Sequence, residues 1–441
     1  MRLAALLCAT LALQAQETAS VPPHVLARIH PEGLQATVAR LVGFGTRHTL
    51  SDTTSPSRGI GAARTWLAEV CGQMSRAHGS RLRPFEDRFT APAGPRIPRP
   101  VELVNVGVVL PGSDPARARE ALVVTGHYDS RASDVLDATS DAPGAVDDGS
   151  GTAMVLAMAE AAMRVESAVT VYFVAVAGEE QGLIGSAHLA RRLKDEGVKV
   201  LAMVSVDIAG NTEGQDGVRD NVSARLLSEG VSTVETEAQR RLREAVGGEN
   251  DGAAREWARY VKRVGERHVE NLEFRLMLRR DRLGRGSDHT AFSREGFPAL
   301  RLSETHEHYD RQHQDVRVKE GRAYGDDLAH FDASYAAKIS QGLLAALLTL
   351  AGAPAAPSEV ALGGAVSPDT RLRWKLSDPR AAGVVLYRRR ADQLHWQCMT
   401  RLPRQESLVL RNVPPDNEVF AVASVDAEGR ESLPTYPSLL E

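Results

Sequence analysis

The run Val171–Gly178 constrains the fold most: its eight residues carry no charge, and two glutamates, Glu179 and Glu180, follow it directly. An uncharged run of this length is typical of a strand buried on both faces of a parallel sheet. In open α/β sheets, ligands bind at the carboxyl ends of the strands. Two adjacent carboxylates there repel each other unless a cation lies between them or one is protonated. The glutamate pair therefore indicates either an ordinary acidic turn or part of a functional site.

Other segments of the chain favour the functional site. Two further apolar runs end in the same way, one at His127 and Asp129 and the other at Asp207, and a glycine-bounded loop presents Asp147 before a helical pattern. In a His-x-Asp pair, one imidazole nitrogen can bind a metal while the N–H of the other nitrogen donates a hydrogen bond to the carboxylate. Together with Glu180, these side chains form the nitrogen and oxygen ligand set that is typical of catalytic zinc.

Strand and helix patterns alternate through the first half of the chain, as in a βαβ series. They predict an α/β fold with a mostly parallel central sheet and helices on both faces, over residues 25–353. Beyond a Pro-Ala linker the period changes to short strands separated by turns, which predicts a small C-terminal all-β sandwich over residues 358–436. The charged helical patterns at 232–245 and 253–269 favour a lid-like insertion over an inert solvated surface.

At this point the chain resembles a known family, the zinc aminopeptidases with two co-catalytic metals, which also contains glutamate carboxypeptidase-like enzymes and glutaminyl cyclases. The resemblance covers roughly residues 30–350. The matching stretches are Gly126–Ser130, Gly144–Gly151, Gly178–Ser186, Asp207 and Ser287–His289. Residues 358–436 resemble, more weakly, a fibronectin type III module.

The resemblance implies a role for each residue of the site. The implied ligands of two zinc ions are His127, Asp147, Glu180, Asp207 and a late histidine. Asp147 would bridge both ions, and the peptide bond between Asp147 and Asp148 would be cis. Asp129 would orient His127, and Glu179 would be the general base.

The late histidine is the position at which this chain departs from the family pattern. Three histidines, His306, His308 and His313, lie within eight residues of one another. His306 stands four residues before Asp310, which is the family spacing. His313 stands two residues before Asp315, in a Gln-His-Gln-Asp-Val-Arg segment associated with one bacterial branch of the family. We predict His313 as the ligand, with His306 and His308 as the alternatives.

The termini and the composition suggest an exported protein. Arg2 precedes an apolar stretch, residues 3–13, and this pattern predicts a signal peptide over residues 1–15. Cys71 and Cys398 are then the remaining cysteines, too few for a disulfide framework, which favours a bacterial periplasmic or secreted enzyme. The balance of 53 basic and 57 acidic residues argues against a nucleic-acid partner, and no later segment is apolar enough to span a membrane.

The predicted function is that of a zinc exopeptidase, an aminopeptidase acting on peptides with a free N-terminus. A carboxypeptidase, a glutaminyl cyclase and a non-catalytic binding relative are the alternatives on the same fold. A serine hydrolase is poorly supported, because Ser150 lacks the Gly-x-Ser-x-Gly spacing. The His-Glu-x-x-His zinc motif is absent because Asp310 stands in the place of its second histidine.

Overall fold

The computed structural model describes residues 21–77, 79 and 81–440, which form two compact units. The large unit contains residues 23–234 and 253–351, and the small unit contains the described residues 21–22, 235–252 and 352–440. The predicted signal peptide, residues 1–15, lies outside the described residues.

The large unit is built on an eight-stranded sheet. Its strands are β1 (Arg83–Ala91), β2 (Val101–Leu110), β3 (Glu120–His127), β4 (Thr170–Val176), β5 (Lys199–Val206), β6 (Ser223–Ser228), β7 (Glu273–Met277) and β8 (Ala299–Glu304). They lie in the order β1-β2-β4-β3-β5-β8-β6-β7. The central strands β4, β3, β5 and β8 are mutually parallel, and antiparallel pairs occur on either side of them. The predicted α/β fold with a mostly parallel sheet is confirmed. A short hairpin follows, formed by β9 (Arg317–Lys319) and β10 (Arg322–Tyr324).

The α-helices of the described residues are α1 (Pro23–Leu26), α2 (Pro31–Val42), α3 (Gly59–Ala77), α4 (Gly151–Ala162), α5 (Ile184–Asp195), α6 (Glu237–Val246), α7 (Ala253–His268), α8 (Asp288–Arg294) and α9 (Ala333–Gly352). Helix α4 packs against β3 and β4, directly beneath the loop that carries Asp147. In the described part of the chain, no helix has both the length and the apolar character required to cross a bilayer.

The prediction of a lid is wrong for residues 253–269, because helix α7 is part of the core. It packs against β6, β7 and β8, and the side chain of Trp257 is fully buried, with its Nε1 donating a hydrogen bond to the carbonyl of Met203 at 3.1 Å. Val261 and Val264 are buried on the same helix. The many charged residues of α7 suggested a surface element, but its apolar residues belong to the core. Helix α6, the other predicted lid segment, belongs to the small unit.

The small unit contains two β-sheets with a shared core, and the predicted C-terminal all-β sandwich is confirmed. Its strands are β11 (Ser358–Gly363), β12 (Thr370–Lys375), β13 (Gly383–Arg390), β14 (Cys398–Pro403), β15 (Ser407–Leu410), β16 (Glu418–Val425) and β17 (Ser438–Leu439). One sheet has the order β15-β12-β11-β17 and the other β14-β13-β16. Trp374, Leu386 and Phe420 lie in the core between them. The fibronectin type III resemblance and the boundaries 25–353 and 358–436 stay predictions.

Candidate metal centre

The register of three parallel strands brings the predicted site residues to one edge of the sheet. His127, the last residue of β3, pairs with Val176 at the end of β4, and Thr125 of β3 pairs with Ser205 of β5. Because neighbouring parallel strands end at the same edge, the residues that follow β4 and β5 lie beside His127. Glu179, Glu180 and Asp207 therefore reach the same edge from separate segments of the chain.

His127, Asp147 and Asp207 form the first group of side chains that can hold a metal ion. The Nε2 atom of His127 lies 3.2 Å from Oδ1 of Asp147 and 3.9 Å from Oδ1 of Asp207. All three side chains are buried. Two carboxylates and one imidazole converging on a single point form a set of nitrogen and oxygen donors suited to zinc.

Asp147, Glu180 and His313 form a second such group. The Nε2 atom of His313 lies 3.2 Å from Oδ2 of Asp147 and 3.3 Å from Oε2 of Glu180. Asp147 therefore directs one carboxylate oxygen to each group, which is the arrangement that a carboxylate bridging two cations requires. The peptide bond between Asp147 and Asp148 is cis, as the family resemblance implies.

His306 and His308 lie outside both groups. The Nδ1 atom of His306 is 2.7 Å from Oδ2 of Asp216, and its Nε2 atom is 3.9 Å from Asp220. Among the described residues, neither His306 nor His308 belongs to a set of side chains that can hold a metal ion. The geometry therefore favours His313 over both alternatives.

The unmet hydrogen-bonding capacity of the carboxylates fits a metal. Oε1 of Glu180 is buried and accepts no hydrogen bond from the described residues, and Oδ2 of Asp147 accepts none from them although the His313 ring lies close to it. A buried carboxylate oxygen without a donor is costly. A divalent cation bound to these oxygens would remove that cost. The residues present therefore fit the zinc ions that the family resemblance implies.

Asp129 contacts His127 through its backbone carbonyl, whereas the sequence predicted a contact through its carboxylate. The Nδ1 atom of His127 lies 3.0 Å from the backbone carbonyl of Asp129, whereas the nearer carboxylate oxygen is 3.6 Å away. Since a carbonyl only accepts hydrogen bonds, Nδ1 carries the proton and Nε2 is left as the metal-binding nitrogen. The carboxylate of Asp129 accepts the backbone N–H groups of Glu179 and Glu180, each at 3.2 Å. Asp129 therefore positions both the histidine and the glutamate pair.

Glu179 lies beside the two groups without belonging to either. Burial raises the pKa of Glu179 well above its usual value, and the nearby carboxylates of Asp207 and Asp288 raise it further, although His127 acts in the opposite direction. A raised pKa makes a carboxylate a stronger base than a free glutamate, which suits a group that takes up a proton in catalysis.

The sequence reasoning missed Arg301, which contacts a predicted ligand. Its side chain is fully buried, and its Nη2 donates to Oδ1 of Asp207 at 2.9 Å, while Nη1 lies 3.5 Å from Oδ2 of Asp281. Arg301 stands within the apolar strand β8. A charged residue in the middle of a buried strand was the signal that could have found it, because a buried charge requires a partner.

Arg47 and Asp326 were also missed, and they hold the loop that carries Asp147. The carboxylate of Asp326 accepts the backbone N–H groups of Val146 and Asp147 at 2.8 and 2.7 Å. The buried guanidinium of Arg47 donates to the carbonyls of Tyr128 and Gly144 at 2.7 and 2.9 Å, and thereby ties the loop to the segment after β3. Neither residue stands in a motif, so no sequence signal pointed to them.

A cavity of about 710 Å³ opens onto both groups, and its wall includes Glu179, Asp147, Glu180, Asp207 and His313. Three of its lining residues, Leu183, Ile208 and His313, have positive φ angles of 61°, 57° and 54°. This conformation is unfavourable for residues other than glycine. Backbone strain of this kind clusters at functional sites, where the surrounding structure holds it in place.

Comparisons with known proteins agree with this geometry. The model of peptidase family M28 matches residues 105–340. A protein of Leptosphaeria maculans named "Probable zinc metalloprotease" is 39% identical over 414 residues, which cover 93% of this chain and 95% of the relative. A protein of the same name from Pyricularia oryzae is 37% identical, over 93% of this chain and 83% of the relative. The predicted bacterial periplasmic or secreted location is therefore wrong as to origin, because these similar relatives are fungal.

Solved structures show the same fold at low sequence identity. LapA and LapB of Legionella pneumophila align with TM-scores of 0.52 each, at 20% and 21% identity. The alignment with LapA covers 75% of this chain and 75% of the LapA chain. The alignment with LapB covers 77% of this chain and 76% of the LapB chain. The aminopeptidase of Aneurinibacillus sp. strain AM-1 aligns with a TM-score of 0.50 at 13% identity, over 75% of this chain and 96% of its own.

Proposed function

The chain belongs to peptidase family M28, and from this premise we propose that it is a metallo-aminopeptidase that removes N-terminal residues from peptides with two zinc ions and a glutamate base. One observation carries the proposal. The two oxygens of Asp147 face two separate histidines, Nε2 of His127 and Nε2 of His313, each at 3.2 Å. A single metal site would not need two such groups around one carboxylate.

The residues have distinct roles in this proposal. His127, Asp147 and Asp207 would hold one ion, and Asp147, Glu180 and His313 the other. When bound, two zinc ions supply Lewis-acid polarisation of the scissile carbonyl and of the attacking water.

Glu179 would move the protons. Its carboxylate takes a proton from the attacking water and delivers it to the leaving amine, which is the usual work of a general base that becomes a general acid. The raised pKa of Glu179 supports this role, because it makes the carboxylate a stronger base. Asp129 keeps the base in place through the backbone N–H of Glu179, at 3.2 Å.

The test combines metal analysis with a substrate panel on the purified full-length protein. We expect two zinc ions per chain, hydrolysis of amino-acid anilides and loss of that activity on chelation. N-acetylated anilides should not be cleaved. Preferential removal of C-terminal residues would instead show a carboxypeptidase, and cyclisation of N-terminal glutamine without hydrolysis would show a glutaminyl cyclase. Zinc binding with no turnover of any substrate would show a binding protein.

Substitution of Glu179 tests the mechanism. Glu179→Gln should retain zinc and fold but lower kcat by roughly 10²–10⁴-fold, the usual contribution of a general base. Glu196→Gln is the matched control, since Glu196 is exposed at the end of α5 and should leave kcat unchanged. A Glu179→Gln variant with near wild-type turnover would contradict the base assignment.

A further inference from the structure

The wall of the cavity has an uneven distribution of charge. Its acidic lining residues, among those the structure describes, are the four already placed at the metal centre, namely Asp147, Glu179, Glu180 and Asp207. Its other charged lining residues, apart from His313, are five arginines: Arg96, Arg131, Arg282, Arg285 and Arg294. Two zinc ions would balance the four carboxylates. The remaining wall then presents positive charge to whatever enters.

Three of these arginines have no acidic partner in the described chain. Arg96 donates to the backbone carbonyl of Glu180, at 2.8 Å. The guanidinium of Arg131 donates to the backbone carbonyls of Ala132 and Ser133, at 3.1 and 3.2 Å, and forms no ion pair there. Arg294, the exposed last residue of α8, forms none either. Their charges are therefore available to a ligand in the cavity.

The other two, Arg282 and Arg285, share the carboxylate of Glu307, and Arg282 also pairs with Oδ1 of Asp281, at 3.1 Å. Arg282 and Arg285 each place an Nη1 atom near Oε2 of Glu307, at 2.8 and 3.2 Å, and Arg225 contacts the same glutamate. The two carboxylates of Glu307 and Asp281 cannot balance three guanidiniums. The side chain of Arg285 is 30% exposed, so this excess charge also reaches solvent at the cavity.

We propose that this cavity selects peptides that carry a carboxylate next to the scissile bond, a proposal that rests on the peptidase function argued above. Guanidinium groups bind carboxylates through paired, charge-assisted hydrogen bonds. An apolar substrate side chain in the same space would leave these groups without partners, and such loss of pairing is what makes polar pockets selective. The carboxylate can belong to an N-terminal Asp or Glu side chain, or to the C-terminus of a dipeptide.

The experiment measures binding and hydrolysis with four matched ligands. Glu-Ala-amide and Gln-Ala-amide differ only in the side-chain carboxylate, and Ala-Ala and Ala-Ala-amide differ only in the C-terminal one. Binding is measured by calorimetry on the zinc-loaded Glu179→Gln protein, and hydrolysis on the wild type. We expect at least one carboxylate ligand of the two pairs to bind about tenfold more tightly than its neutral partner, and this preference to fall with added salt.

Two variants link the preference to the cavity. Arg131→Gln and Arg294→Gln should each reduce the ratio of acidic to neutral binding several-fold, because each removes one unpaired charge. Arg191→Gln is the matched control: Arg191 is an exposed arginine of α5, paired with Glu295, and it does not line the cavity. Arg294 is exposed at a helix end, so its substitution tests the proposal even where Arg131→Gln fails to fold.

The outcomes separate this proposal from the peptidase function. Equal binding within both ligand pairs, or no binding of a carboxylate ligand, would overturn the proposal even with full activity on neutral anilides. An undiminished preference in both arginine variants would overturn its assignment to the cavity. A clear carboxylate preference in binding, without hydrolysis by the wild type, would support the cavity assignment and contradict the peptidase function.

Discussion

His313→Ala is expected to leave one zinc ion per chain where the wild-type protein holds two. His313 offers its Nε2 atom at 3.2 Å from Asp147 and 3.3 Å from Glu180, and it is the nitrogen donor of its group. Loss of a residue that merely supports a metal ligand lowers affinity about 10–100-fold. Removal of the ligand itself should exceed about 100-fold, so the second ion is lost on dialysis.

The variant His313→Gly distinguishes the effect of losing the metal ligand from the effect of backbone strain at this position. His313 has a φ angle of 54°, which costs a residue with a Cβ atom roughly 1–2 kcal/mol and costs glycine little. Alanine retains this strain, whereas glycine relieves most of it. In chelator, His313→Gly should therefore be about 1 kcal/mol more stable to unfolding than His313→Ala, although both variants lack the second zinc.

The assay combines zinc analysis after dialysis with urea unfolding in the presence of a chelator. His306→Ala is the matched control, because His306 is paired with Asp216 outside both groups, and it should keep two zinc ions. Two ions in His313→Ala and one in His306→Ala would reverse the ligand assignment. A glycine variant less stable than the alanine variant would refute the argument from backbone strain.

Three further perturbations have defined outcomes. Arg301→Met removes the guanidinium from the buried carboxylate of Asp207, whereas Asp281 keeps its pair with Arg282, and it should cost roughly 3–5 kcal/mol in chelator. Urea unfolding with zinc should show a smaller loss, since zinc compensates Asp207, and equal losses would contradict this. Burial raises the pKa of Cys71 to about 12, so at pH 8 the thiol stays protonated and mass spectrometry should find it unalkylated until urea is added; rapid native labelling would contradict this. Deletion of residues 358–441 should leave chelator-sensitive hydrolysis, because the site residues all precede this segment. A soluble two-zinc product without activity would show that the C-terminal sandwich is required for catalysis.

The sequence by itself determined which strands carry the site. His127, Glu179 and Asp207 each follow an apolar run, and a buried run of that length is read as a parallel strand from its composition alone. Parallel strands end at one edge of a sheet, so the convergence of these residues was predictable before any coordinate was known.

Three features could be decided only by the tertiary structure: which histidine reaches the site, whether helix α7 is buried, and what Arg301 contacts. Three histidines compete within one irregular stretch of chain, and the loop's path across the sheet edge, with its positive φ at His313, brings that residue to Asp147. Helix α7 is charged in sequence and buried in the structure, because its neighbours β6 to β8 cover it. Arg301 contacts Asp207 through the side-by-side pairing of β8 and β5. Long-range packing sets each of these contacts, and a local sequence pattern reports only on its own element.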